Sequence, residues 1–238
     1  MNNNLGQRAY ASADVRTQAS TIFLAKVFNW MAIGLGLTGV FAMIVSNSPT
    51  IQQTIFGNPI LFFGLIIGEL GMVIYLSARI QKMTAQKATA IFLLYSILNG
   101  ITLSAVFLAY TAASITVTFF VTAGMFGSMA VYGFVTKKDL SGMGSFLMMG
   151  LIGIIIAAVV NMFVQSSMMT FIISAIGVIV FTGLTAYDVQ KISKMGAGGI
   201  MESGDAAIRK GAIIGALALY LDFINLFLML LHFLGDRR

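Results

Sequence analysis

Seven apolar stretches, each about 20 residues long, occupy most of this chain and leave it few folds to choose from. They lie near 23–46, 59–78, 89–110, 114–136, 144–164, 169–188 and 211–234. As helices rising ~1.5 Å per residue, all seven are long enough to cross a hydrocarbon core of ~30 Å. Inside a bilayer no water serves free backbone groups, so only helices or closed barrels cross it. The stretches lack period-2 alternation, which excludes the barrel. Charge agrees: 9% of residues are charged, against roughly 25% in a soluble domain. The expected fold class is an all-α integral membrane protein of seven transmembrane helices. Residues 1–20 are polar and read as a cytoplasmic tail, with residues 21–238 forming a single transmembrane domain. The tail lacks a basic region followed by a short apolar core and a small-residue cleavage site, so no cleaved signal peptide is expected.

The basic residues set an expected orientation. Arg8 and Arg16 precede the first stretch, and Lys26 stands at its entrance. Arg79, Lys82 and Lys87 flank the second connection, Lys137 and Lys138 the fourth, and Lys191, Lys194, Arg209 and Lys210 the sixth. The first, third and fifth connections carry no Lys or Arg. Basic residues collect on the cytoplasmic side, so the N-terminus is expected inside. Seven crossings then place the C-terminus outside, where Arg237 and Arg238 are the one exception to the bias. The net charge of +6 thus describes topology and gives no reason to expect nucleic acid. The only substantial loop is expected at 189–210.

Several chemistries drop out. The chain has no cysteine, which removes disulfides, thiolate metal sites and thiol nucleophiles together. Gly34, Gly36 and Gly39 match a dinucleotide-binding pattern, but within a membrane helix no strand precedes them, and helix packing is the expected role. Gly211 and Gly215 read the same way. The last stretch holds no lysine for a retinal Schiff base. His232 stands alone near its outer end. No His, Asp and Glu cluster has metal-ligand spacing, and no cofactor is expected.

Five of the eight acids fall in aqueous segments; Glu69, Asp188 and Asp222 do not. An ionised Asp at a helix centre costs about 2.5–3.5 kcal/mol on insertion scales, so Asp222 should face protein or a cavity. Gly211, Gly215, Ala218, Asp222, Asn225, Met229 and His232 fall on one helical face. That stripe marks the last helix as buried among the others. Glu69 is central in the second stretch, beside Gly64, Gly68 and Gly71. Asp188 closes the sixth stretch near the cytoplasmic boundary. Two close carboxylates in low dielectric do not ionise independently and can share a proton. Counted along the helices, however, Asp222 lies roughly 15 Å deeper than Asp188. The two meet only if the last helix is shifted or the sixth is drawn inward.

The run Leu219-Tyr220-Leu221-Asp222-Phe223-Ile224-Asn225-Leu226-Phe227 resembles the final-helix signature of the Bax-inhibitor-1 family. Gly183-Leu184-Thr185-Ala186-Tyr187-Asp188 is similar to its second hallmark. The resemblance covers about residues 20–235, with a short tail like that of bacterial members. It implies a central last helix surrounded by six others, and a hydrogen-bonded Asp188–Asp222 pair sensing pH on the cytosolic side of a pore. It also implies a Ca²⁺ leak across the cell inner membrane and a basic latch at the inner end of the second helix, where Arg79 stands. Glu69 matches a second-helix acid of some members.

The leading expectation is therefore a pH-gated Ca²⁺ leak. Glu69, Asn225 and the two aspartates would give Ca²⁺, which prefers six to eight oxygens, a transient site and no tight one. The competing class is a membrane-embedded regulatory protein that binds a membrane-protein partner and transports nothing, since family members are associated with cell-death and membrane-protease control. An intramembrane aspartyl protease is disfavoured: Leu219-Tyr220-Leu221 precedes Asp222, and no proline follows Pro59. No enzyme activity is expected.

Overall fold

A computed structural model describes the backbone of residues 3–237 and the side chains of residues 14–237. The side chain of Arg8 and all of Arg238 lie outside the described residues. Within them the chain forms eight α-helices and no strand: α1 (Asn3–Ser46), α2 (Pro49–Phe56), α3 (Pro59–Arg79), α4 (Ala85–Ala109), α5 (Ala112–Val135), α6 (Ser141–Val164), α7 (Ser167–Ala197) and α8 (Asp205–Leu234). Seven of these are long and apolar enough to span a membrane, and the short α2 lies between the first two. The environment of such a chain is a lipid bilayer.

Local signals explain where the helices begin. Pro49 and Pro59 open α2 and α3, where a missing backbone N–H costs nothing and the fixed φ already suits a helix. The Asn58 side chain accepts from Ile60 N and Leu61 N. Thr84, Thr111 and Ser166 each accept the backbone N–H three residues on, at 3.2, 3.3 and 3.3 Å. Each cap satisfies a donor the helix itself cannot.

Three boundaries differ from expectation. The first is the start of α1 at Asn3, so that helix runs through most of the segment expected as a polar tail. The sixth stretch does not end at residue 188: α7 continues nine residues further, to Ala197. Its extension keeps one apolar face, with Val189, Ile192 and Gly196 buried while Lys191 and Lys194 are exposed. Likewise α8 starts at Asp205. The expected loop at 189–210 therefore shrinks to a connection over residues 198–204. It turns at Gly199 and Gly204, whose φ values of 89° and 82° lie in the region L side chains avoid.

Burial is uneven. In α8, 61% of the apolar stretch is buried, against 11–33% in the other six spans. It packs on α1, α4, α5 and α7, whereas α3 leans mainly on α4 and α6 on α7. Small residues let backbones close up. A Cβ on Gly100 of α4 would meet the Thr38 backbone of α1, and one on Gly133 of α5 would meet the Ala186 backbone of α7. Gly34, Gly211 and Gly215 also pack against neighbouring side chains, as expected, but Gly36 and Gly39 have nothing within 4 Å.

The end of the bundle that carries the basic connections is tied by polar contacts. Lys194 Nζ lies 2.6 Å from Asp139 Oδ1. That hydrogen bond, with those from Ser141, holds Asp139 at about 2, below the usual carboxylate range. Gln190 accepts from Leu140 N at 2.9 Å and donates to Lys138 O at 2.8 Å. Arg209 donates to Thr89 and sits over the Trp30 ring. At the opposite end, Arg237 bridges to Tyr110 in antiparallel fashion.

Candidate functional site

A cavity of about 580 Å³ opens between α3, α4, α6, α7 and α8. Glu69, Asp188, Asp222 and Asn225 all line it, together with Tyr95 and Asn99. Every intramembrane acid singled out in the sequence therefore reaches one space. Among the described residues, no Lys or Arg lines it.

The helix register accounts for the meeting of Asp188 and Asp222. α7 and α8 run antiparallel, with Ile192 against Gly215 and Met229 against Gly177. Residue numbers at one level thus sum to 406 or 407, which sets Asp188 level with Ala218 or Leu219. Asp222 is then about one turn away, roughly 5 Å along the axis. The expected 15 Å offset assumed that the sixth span ends at Asp188; the extension to Ala197 places this residue well inside its helix. Both carboxyl groups line the same cavity, but among the described residues no hydrogen bond joins them, unlike the bonded pair that the resemblance implies.

Asp222 is 5% exposed, and its Oδ2 has no hydrogen-bond partner among the described residues. Buried polar atoms are nearly always paired, so such an exception calls for an explanation. A carboxylate only accepts. What can satisfy it here is a proton held between the acids, a water or a cation. Asn225 turns its amide back to Leu221 O at 2.8 Å, leaving its own oxygen free to accept.

Glu69, 8% exposed, is held more firmly. Thr102 Oγ1 donates to Oε1 at 3.0 Å and Asn99 Nδ2 to Oε2 at 3.3 Å. Asn99 Oδ1 accepts in turn from the Tyr220 hydroxyl at 3.0 Å, and that hydroxyl lies 2.6 Å from Thr38 Oγ1. Sequence reasoning missed Thr38, Asn99, Thr102 and Tyr220 as site residues. None of them is charged, and only the packing of α1, α4 and α8 brings these four together beside Glu69 of α3.

Two other residues fall elsewhere. Arg79, the expected latch, is exposed at the end of α3 and does not line the cavity with the aspartates. The apolar groups that anchor the last turn of α3 are Leu76 and Ile80, on either side of it, and they turn the guanidinium outward. His232 lies in a separate recess at the other end of α8, its ring 6.5 Å from that of Tyr110.

Comparison with known proteins adds three findings. The family model described as "Inhibitor of apoptosis-promoting Bax1" matches residues 21–238. The inner membrane protein YbhL of Escherichia coli K12 is 52% identical over 217 residues, covering 91% of this chain and 92% of that protein. An uncharacterized protein of Borreliella burgdorferi is 53% identical over 217 residues, with the same shares of both chains.

Proposed function

This chain belongs to the Bax inhibitor-1 family of membrane proteins, and from that premise we propose that it is a pH-sensitive Ca²⁺ leak of the cell inner membrane. The observation that carries the reading is the single cavity lined by Glu69, Asp188, Asp222 and Asn225, with the buried Asp222 Oδ2 unpaired. Three carboxyl groups and an amide oxygen are hard ligands suited to Ca²⁺. Both Glu69 oxygens already accept hydrogen bonds, so the uncommitted oxygens fall short of the usual six to eight, which favours transient binding over retention.

On this reading the Asp188–Asp222 pair is the gate. Protons shared between the two carboxyl groups change the charge facing the cavity, and with it the balance between α7 and α8. Arg79 has no part in the gate as it stands, because it faces away. The inner membrane location follows the name of the E. coli relative, and the N-terminus faces the cytoplasm on the strength of the basic connections. No catalytic step is part of this reading.

The test is Ca²⁺ entry into liposomes measured against pH. Asp222→Asn is expected to alter both the rate and its pH dependence. Unchanged entry with an unchanged pH profile would sink the proposal and leave the competing class, a regulatory protein without transport of its own.

A further inference from the structure

Tyr220 precedes Asp222 by two residues on α8, a rotation of about 200°. While Asp222 faces the cavity, Tyr220 points the other way, into the packing of α1 and α4. It is fully buried there, its ring edge-on to Phe92 and Tyr95. A phenylalanine would fill that volume equally well. What the hydroxyl adds is a path from α8 back to the cavity: Tyr220 to Asn99 on α4, and Asn99 to Glu69 on α3. Helix α8 thus reaches two acids, Asp222 on its own backbone and Glu69 through two hydrogen bonds.

The path has little slack. Its two links measure 3.0 and 3.3 Å, and useful hydrogen bonds fade beyond ~3.2–3.5 Å. A movement of α8 by about 0.5 Å breaks or remakes the Tyr220–Asn99 link. The Tyr220 hydroxyl also has a second partner. It has one proton and two neighbours that accept, Asn99 Oδ1 and Thr38 Oγ1. When Thr38 donates to Tyr220, Tyr220 donates to Asn99. When Thr38 donates instead to Ser96 O, 2.8 Å away, Tyr220 donates to Thr38 and the link to Asn99 is lost. The chain therefore has two proton arrangements, of which only one holds the Asn99 amide in place beside Glu69.

We propose that Tyr220 and Asn99 are positioning residues that couple Glu69 to Asp222 through α8, so that the acids on opposite walls of the cavity respond as one unit. The proposal rests on the cavity and not on the transport assigned to it. The titratable groups around Glu69 are Tyr95 on α4, Tyr220 and Asp222 on α8 and, across the cavity, Asp188 on α7.

The experiment is infrared difference spectroscopy of the whole protein in lipid, with the Glu69 carboxyl band assigned by Glu69→Gln. In the otherwise native protein, Asp222→Asn is expected to move the titration midpoint of that band by about 0.7 pH unit or more, the low end of the five- to 150-fold range of coupled sites. In a Tyr220→Phe background the same substitution is expected to move it by less than half as much. What remains is the direct electrostatic effect across the cavity. Equal shifts in both backgrounds overturn the proposal, as does the absence of any shift in the native background. A purely structural role for Tyr220 lowers thermal stability without changing the coupling. Asn99→Leu breaks the path from the α4 side, and if only one of the two variants folds, that one decides. The readout needs no flux, so a failed leak and a failed coupling are separate results.

Discussion

Gly100 offers a direct test of the close approach between α1 and α4. An added Cβ would lie 2.5 Å from Thr38 O, 3.0 Å from Thr38 Cα and 3.1 Å from Phe41 Cβ. Two of these are backbone atoms and the third is a Cβ attached to the backbone, so none can swing aside like the tip of a long side chain. A comfortable C···O contact is about 3.3 Å, so Gly100→Ala must push α1 back by roughly 0.8 Å. The Thr38 Oγ1–Ser96 O bond, now 2.8 Å, would then stretch to about 3.6 Å, which is no longer a hydrogen bond. Overpacking costs about 1–3 kcal/mol, and a membrane interhelical hydrogen bond contributes roughly 0.6 kcal/mol. The expected loss is about 1.5–3.5 kcal/mol. Replacing glycine by alanine also favours any helix by up to ~1 kcal/mol, which would mask part of the loss. Gly36→Ala supplies the correction: it lies in α1 with nothing within 4 Å, so it carries the propensity gain and no clash. The difference between the two variants isolates the contact. Reversible unfolding in mixed micelles measures both. If they agree within about 0.5 kcal/mol, the normal scatter of neutral substitutions, the close approach does not exist.

Two more outcomes follow from the end of the bundle that carries the basic connections. Gln190→Ala strands Leu140 N and Lys138 O, both now bonded to the Gln190 amide, and should cost about 1–3 kcal/mol; faster hydrogen exchange at Leu140 would accompany the lower melting temperature. Because the chain has no cysteine, single cysteines report sidedness cleanly. Ser203→Cys should react with a membrane-impermeant maleimide only in inverted vesicles and Asn58→Cys only in intact cells, and the opposite pattern would reverse the orientation drawn from the charges.

Spans and the lone acids could be read from the residues alone. Twenty apolar residues in water-free surroundings have one regular solution, and Asp222 stands out because nothing charged surrounds it. Depth could not be read. Residues 189–197 mix lysines with a thin apolar face, so a measure of average hydropathy ends the helix at Asp188, and the inferred offset from Asp222 grows. The buried end of the site was invisible for another reason. Tyr220 lay within the recognised final-helix run, yet its hydroxyl matters only because Asn99, more than a hundred residues earlier, sits beside it. Arg79 shows the converse. Its position at the end of α3 matched expectation, but helical phase directs it outward, and phase at a frayed helix end is poorly set by sequence.

The uneven burial of the spans has a mechanical meaning. α1, α4, α5, α7 and α8 brace one another, while α3 and α6 each lean mainly on a single neighbour and bury only 11% of their apolar stretches. The cavity is therefore stiff on one flank and compliant on the other, where a wall one helix thick separates it from acyl chains. Glu69 stands on that compliant wall and Asp222 on the rigid core. A thinner bilayer would tilt the loosely held helices before the braced ones, and the distance between the two acids would change with that tilt.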